Sequence, residues 1–513
     1  MKRMVFFAVF LVVLAACFGC AADKLTDGDW EYETEGYGDT KTVRITKYAP
    51  AGEVPEVLEV PEKLGGYPVR ELRSSSLSNV YREENGKTEQ VPGPKILVLP
   101  AGLKKIDVGS IRFNDLEEIR IENGENYETR DGVLFETRTH TLMTYPRNRE
   151  NTPYTVPEGT LVIGSYAFEY SENPHEVILA DSVRRIENNA FRIHELHLTI
   201  PEGIEKIEPG AVIWASRFIS RSPRYQVVNG LLVDSEEKAL LSVPQYPYDR
   251  DRKTWIVKIP EGVETIEYNA IDGVDCYQVV FPSTLKTIKK SNDFYRIYSG
   301  SMTFPEGLER IGDHFSAWDL KTLVFPSTLI SIGEWCFNNM GSVESIFFGE
   351  SLKSIGAYSF CNNENLETVV LPSSLSSIDS TMFKADENAA FSGCPKLCAV
   401  VTPGSKAESF CRERMIPYRY FFDRIWNVDS GEAEEALALS GADHVRIRMD
   451  KKSLELTYNL DGEPCSEVFP VRWKDGLLCM ENGNMKYTLT DAKHLTLDMN
   501  GKELHLIRIE DRK

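Results

Sequence analysis

Positive charge is scarce in this chain. Its 513 residues carry 58 Lys and Arg against 78 Asp and Glu, a formal charge of -20 at pH 7. No basic surplus is available to displace counterions, so a nucleic-acid partner is disfavoured. Long apolar runs are equally scarce, and after residues 4–14 none is long enough to span a bilayer. Signals of catalysis are thin. No Gly-x-Ser-x-Gly nucleophile turn and no phosphate-cradling glycine loop occur, and Gly36-Tyr37-Gly38 lacks a third glycine. The nearest approach to a metal motif is Ile193-His194-Glu195-Leu196-His197. There Leu198 holds the place, four after His194, that a second zinc-binding histidine needs. These histidines are expected on a sheet surface. Cys394 and Cys398 have no histidine near them, so neither a metal nor any other cofactor is expected.

What is present begins with the N-terminus. Lys2 and Arg3 precede the short apolar run, which suits the apolar region of a signal peptide. Leu14-Ala15-Ala16-Cys17 resembles the bacterial lipobox, and that resemblance implies acylation of Cys17 as the mature N-terminus. The other reading is ordinary cleavage near Ala22, which discards Cys17 and Cys20. Both make the chain an exported one. Of its 10 cysteines, Cys336, Cys361 and Cys394 stand beside a recurrent phenylalanine and are expected as buried thiols. Cys398 with Cys411 and Cys465 with Cys479 are candidate disulfides, with pairing left open by the sequence.

The dominant signal is internal repetition. In LETVVLPSSLSSIDSTMF, the residues Leu366, Val369, Leu371, Pro372, Leu375, Ile378 and Phe383 keep the intervals of Leu320, Leu323, Phe325, Pro326, Leu329, Ile332 and Phe337. Marker positions fall at Pro157, Ala180 and Pro201, then at Pro260, Pro282, Pro305, Pro326, Gly349 and Pro372, in unbroken steps of 21 to 23 residues. Alternating residues before the marker predict a short strand, proline ends it by withholding a donor, and Ser, Gly and Asn supply the turns. A single unit buries too little to fold alone, whereas stacked units share one core, the logic of a solenoid.

The pattern Leu-x-x-Val-x-Leu-Pro-x-x-Leu-x-x-Ile, followed by Ala167-Phe168 or Ala190-Phe191, resembles the BspA-type leucine-rich repeats of bacterial surface proteins. Two interruptions strengthen the likeness. Tyr127, Gly132, Leu134 and Pro146 are spaced as Tyr225, Gly230, Leu232 and Pro244 are, and such insertions look like hairpins. The ending TPGSKAESFCRERMIPY is similar to the helix and strand that close these arrays. The resemblance implies a solenoid of short parallel strands over residues 61–423, with insertions at 124–150 and 222–253 and a cap at 402–420. It implies surface display and adhesion to macromolecular partners.

Outside the array, residues 1–22 form the signal and anchor, and 23–60 a β-hairpin cap over the first repeat. Residues 424–513 alternate in seven runs, from HVRIRM to ELHLIRI, separated by Asp-Gly and Asn-Gly turns. They predict a small antiparallel barrel or half-barrel with Trp426 at its start, similar to the lipocalin-like domains of exported bacterial proteins, and with a helical turn over 432–439.

With no acid–base pair to single out among the many carboxylates, function is assigned to a surface. The Glu residues of Pro201-Glu202-Gly203 and Pro260-Glu261-Gly262 recur at the repeat turn and are expected to be solvated there. One place before each inward pre-marker position, the outer face of the strands reads Val280, Thr303, Val324, Phe347 and Val370. This uncharged column is either strand propensity or a binding face for a protein or glycan. The principal reading is a lipid-anchored, non-catalytic binding protein. The alternative makes the C-terminal domain a carrier of a small apolar ligand, and a hydrolase of envelope polymers ranks last.

Overall fold

The computed structural model describes residues 24–84, 86–150, 153–245, 253–378 and 391–420, together with nine strands between 425 and 508. Cys17, Cys20, Phe383 and the helical stretch at 432–439 lie outside the described residues, as do the side chains of Trp426, Cys465 and Cys479. The chain divides into two compact units, Met1–Pro223 and Arg224–Lys513, so the boundary falls within the stretch read as one array.

In the first unit, strands Trp30–Glu35 and Thr42–Tyr48 pair as an antiparallel hairpin, with Trp30 opposite Tyr48. The second of these pairs in parallel with Tyr67–Leu72, and from there the stack is parallel. Each repeat contributes a pre-marker strand and a second strand around the isoleucine six places on. Glu176–Ile178, His197–Ile200 and Arg217–Ser220 form one ladder, and Val162–Ile163, Arg185–Ile186 and Lys206–Ile207 form another. The second unit repeats the plan. Its longest array ladder runs from Tyr225–Val228 through Leu231–Asp234 and Ala239–Ser242 to Ser377–Ile378.

The two insertions are homologous in geometry as well as in spacing. Tyr127–Arg130, Val133–Glu136 and Thr141–Thr144 form an antiparallel meander whose register shifts between Leu134 and Phe135. Tyr225–Val228, Leu231–Asp234 and Ala239–Ser242 do the same, with the shift between Leu232 and Val233. In each, the third strand passes directly into the parallel ladder.

The core follows the sequence intervals. Leu320, Leu323, Phe325, Leu329, Ile332 and Phe337 are all buried. Their rings stack from repeat to repeat: Phe337 on Phe360 at 5.3 Å and 4°, and Phe360 on Phe391 at 5.5 Å and 11°. The phenylalanine landmark of the last repeat is therefore Phe391.

The repeat-turn glutamates Glu202, Glu261 and Glu306 are exposed, as expected, and most of the series also braces the next repeat. Glu261 accepts hydrogen bonds from the Ser283 N–H and hydroxyl of the next repeat, and Glu306 and Glu350 do the same with Ser327 and Ser373. The following residue completes the brace: the Thr284 hydroxyl donates to the Val263 carbonyl and accepts from the Gly262 N–H. Turn backbone groups left open by one repeat are thus satisfied by the next, which a continuous stack requires.

The array closes with a helix, Lys406–Glu413, and a strand, Tyr418–Tyr420, that extends the ladder through Cys398–Val401. Ser405 caps the helix, and Glu408 reaches back to the residue before the cap. The Ser405 hydroxyl accepts from the Glu408 N–H, and the Glu408 carboxylate accepts from the Gly404 N–H. The candidate disulfide across this cap is absent, since Cys398 and Cys411 are both free thiols. Cys411 lies in the core beneath the helix, while Cys398 opens the strand half-buried.

After 424 all pairing is antiparallel. The run VFPVRW is divided between strands Glu463–Pro470 and Arg472–Lys474, and Ile425–Val428 is a further strand, so seven expected strands become nine. Strand Ile425–Val428 pairs with both Ala442–Met449 and the last strand, Lys502–Arg508. Ile447 and Leu456, directly opposed across one pair, are buried.

Candidate binding surface

Among the described residues no group of three or more His, Cys, Asp and Glu is placed to hold a metal ion, and no helix is long and apolar enough to cross a membrane. Surfaces and pockets are what the structure offers.

The strand column divides in two. Val280, Thr303 and Val324 face solvent, with Val280 38% and Val324 44% exposed. Phe347 and Val370 do not: they are 5% and 9% exposed, which corrects the expectation that Phe347 stands in water. Sheet position gives the reason. Val324, Phe347, Val370 and Val400 are successive partners across one five-stranded parallel sheet in which Val324 occupies the edge strand. Phe347 and Val370 have apolar neighbours on both sides, one strand spacing away, whereas Val324 has one. Thr303 belongs to no strand, so the column is not one continuous sheet face.

Other large apolar side chains in this unit are exposed. Ile256 lies on the strand paired with that of Val280, Tyr277 precedes Gln278–Val280, and Trp318 lies in a turn. Tyr277 and Trp318 were not singled out in the sequence, because isolated aromatic residues between repeats carry no periodic signal.

A second feature was missed although its signal was present. In the first unit Arg147, Tyr170, Arg192 and Trp214 recur at repeat intervals, one or two places after the core residue of their turn (Tyr145, Phe168, Phe191 and Val212). The Arg147 guanidinium lies 5.3 Å from the Tyr170 ring centre. That of Arg192 lies 5.1 Å from Tyr170 and 4.5 Å from Trp214. His194 stacks on Trp214 at 4.5 Å and 8°. His194 therefore sits on a turn rather than on the sheet, while its neighbour His197 does begin a strand. Arg147 and Arg112 share the buried carboxylate of Glu169, at 3.1 and 3.3 Å. Burial pushes the Arg147 guanidinium below its ordinary range, although Glu169 opposes the shift. Reading the column beyond each phenylalanine, instead of stopping at it, would have found the series.

Residues 144–216, 241–314 and 290–405 match the model of the BspA type leucine rich repeat region. These segments are BspA-type repeats. Among solved structures, the chain is similar to the pneumococcal vaccine antigen PcpA, at 16% identity over 78% of this chain and 98% of that one, with a TM-score of 0.44. It is similar also to a leucine rich cell surface protein of Faecalibacterium prausnitzii, at 21% identity over 75% and 96%, with a TM-score of 0.41. A leucine-rich repeat protein of Eubacterium ventriosum gives 14% identity over 74% and 84%, with a TM-score of 0.32. No curated protein matches.

Proposed function

We propose that this chain is an exported, non-catalytic surface protein that uses its leucine-rich repeats to bind a macromolecular partner, tethered by a lipid on Cys17. The observation that carries this reading is the exposure of apolar side chains on the array of an otherwise acidic protein, Val280 and Val324 foremost. Exposed apolar surface on a repeat scaffold is what an interface uses, and the rigid stack spends no ordering entropy to present it. Phe347 and Val370 support the strand beneath this face and do not touch the partner. The test is capture of partners from intact cell surfaces by the full-length protein, wild type against a Val280→Ser, Val324→Ser double variant. Loss of the captured partner by a folded variant supports the face, and undiminished capture removes it.

The pairing of Ile425–Val428 with Lys502–Arg508 favours a second role for the C-terminal domain. The first strand pairs with the last, and the two ends of the sheet path, Glu463–Pro470 and Arg472–Lys474, are consecutive in the chain without pairing to one another, while every other pair of consecutive strands is joined. Pairing between those two ends would close such a path into a lipocalin-like barrel able to hold a small apolar ligand. A lipid retained in native mass spectrometry of the full chain supports the carrier. Its absence makes the domain a packed module.

A further inference from the structure

In the first unit Tyr170, Ser171, Glu172, His175, Arg192 and Glu195, with Ile193 and His194, line an open pocket of about 290 Å³. Five of these, Tyr170, Ser171, Glu172, Arg192 and Glu195, make no side-chain hydrogen bond or ion pair among the described residues. For Ser171 this is costly, because the residue is 4% exposed and its hydroxyl is buried without a partner. Arg192 is held by the rings of Tyr170 and Trp214, and its buried Nε is likewise unpartnered. Two carboxylates line the same pocket, yet neither closes onto the guanidinium.

We infer that this pocket is a binding subsite for a single neutral sugar residue, at the end or on a branch of a glycan. The chemistry of the open groups selects the ligand class. Glu172 and Glu195 only accept hydrogen bonds, Arg192 only donates, and the hydroxyl of Tyr170 does both. A simple anion would meet two carboxylates, and a cation would meet Arg192. A ring of vicinal hydroxyls, each both donor and acceptor, suits the four that face the opening: Glu172, Glu195, Tyr170 and the terminal nitrogens of Arg192. The volume is at the lower end of ligand pockets, which suits one ring rather than a chain. The rings of Tyr170 and Trp214 hold the guanidinium in place before a ligand arrives. This site belongs to the first unit and the strand face to the second, and they share no residue, so either can fail without the other.

The test is titration of the full-length protein with the methyl glycosides of glucose, galactose, mannose and N-acetylglucosamine, read by calorimetry and saturation-transfer NMR, with sulfate and calcium as controls. At least one glycoside is expected to bind with a millimolar Kd. Glu172→Gln and Glu195→Gln, which keep shape, should each weaken binding about tenfold, the loss expected for a hydrogen bond to a charged group. Tyr170→Asn, whose side chain tolerates the φ of 54° there, should weaken it too. Val324→Ser should leave binding unchanged. If none of the four glycosides binds, if sulfate or calcium binds instead, or if the folded Glu→Gln variants bind as the wild type does, the proposal is overturned.

Discussion

Val324 and Phe347 are direct partners across two parallel strands, yet Val324 is 44% exposed and Phe347 only 5%. One column of the repeat therefore holds two kinds of residue, divided by whether the strand lies at the edge of its sheet or within it. The division has an energetic consequence. Val324→Ser should shift stability by no more than about 0.5 kcal/mol, as surface substitutions do. Phe347→Ser should cost at least about 3 kcal/mol, because it opens a cavity, and Leu323→Ala about 2–5 kcal/mol for the same reason. Urea unfolding of the three variants measures the contrast. Equal costs at 324 and 347 would contradict the edge assignment.

The brace between repeats predicts a pH-dependent variant. Burial pushes the Glu350 carboxyl above the ordinary carboxylate range, while the Ser373 hydroxyl and N–H oppose the shift by holding the charged form. A carboxyl raised on folding adds stability that is complete below its unfolded pKa and is lost as pH rises through the folded value. Ser373→Ala removes one donor from the charged form, so it should widen that loss. The variant should be destabilised by about 1–3 kcal/mol at pH 8 and by clearly less at pH 4. Ser327→Ala, whose partner Glu306 is exposed, should cost less at pH 8. Thermal melts at the two pH values decide this.

Much of the array was legible because its period is enforced by packing. Leu323, Leu329, Ile332 and Phe337 each have one counterpart per repeat, and a stacked core admits no slippage. The hairpin insertions were legible for a related reason, since Tyr127 and Tyr225 are both buried anchors. Sheet edges were not. Whether residue 347 meets water depends on how many strands join its sheet, and the pre-marker strands form several separate sheets that the period does not announce. Glu202 and Glu261 are exposed, as expected, but the brace that Glu261 makes was not legible, because its partner Ser283 lies 22 residues away. The Tyr170–Arg192–Trp214 series lay in phase but varied in residue type, so it resembled no motif.

The thiols should be inert. Burial pushes Cys276, Cys361 and Cys411 up to about 12, and Cys394 up to about 11. The thiolate is the reactive form, so at pH 8 these four should resist iodoacetamide in the native protein and label only after unfolding. The raised values also set an alkaline limit. Stability from these groups is complete below the unfolded thiol pKa near 9 and is lost as pH rises toward 12, so the melting temperature should fall across that window. Cys276→Ser should flatten part of the fall. Rapid labelling of Cys411 at pH 8 in folded protein, read by mass spectrometry, would show that the cap helix opens.

Anchoring can be decided by one atom. Only a cysteine thiol accepts the diacylglycerol thioether, and Cys17 holds the lipobox position of Leu14-Ala15-Ala16-Cys17. Wild type is expected to partition with membranes at a mature mass that includes the lipid. Cys17→Ser should appear instead as soluble exported protein or as unprocessed precursor, with its repeats folded in either case. Two outcomes need separating, because a residual apolar signal also holds a precursor in the membrane. Intact mass does so: the precursor retains residues 1–16, and the mature form does not. A Cys17→Ser protein that stays membrane-bound at the mature mass would require an anchor elsewhere. The surface role proposed for the repeats would then rest on a different tether.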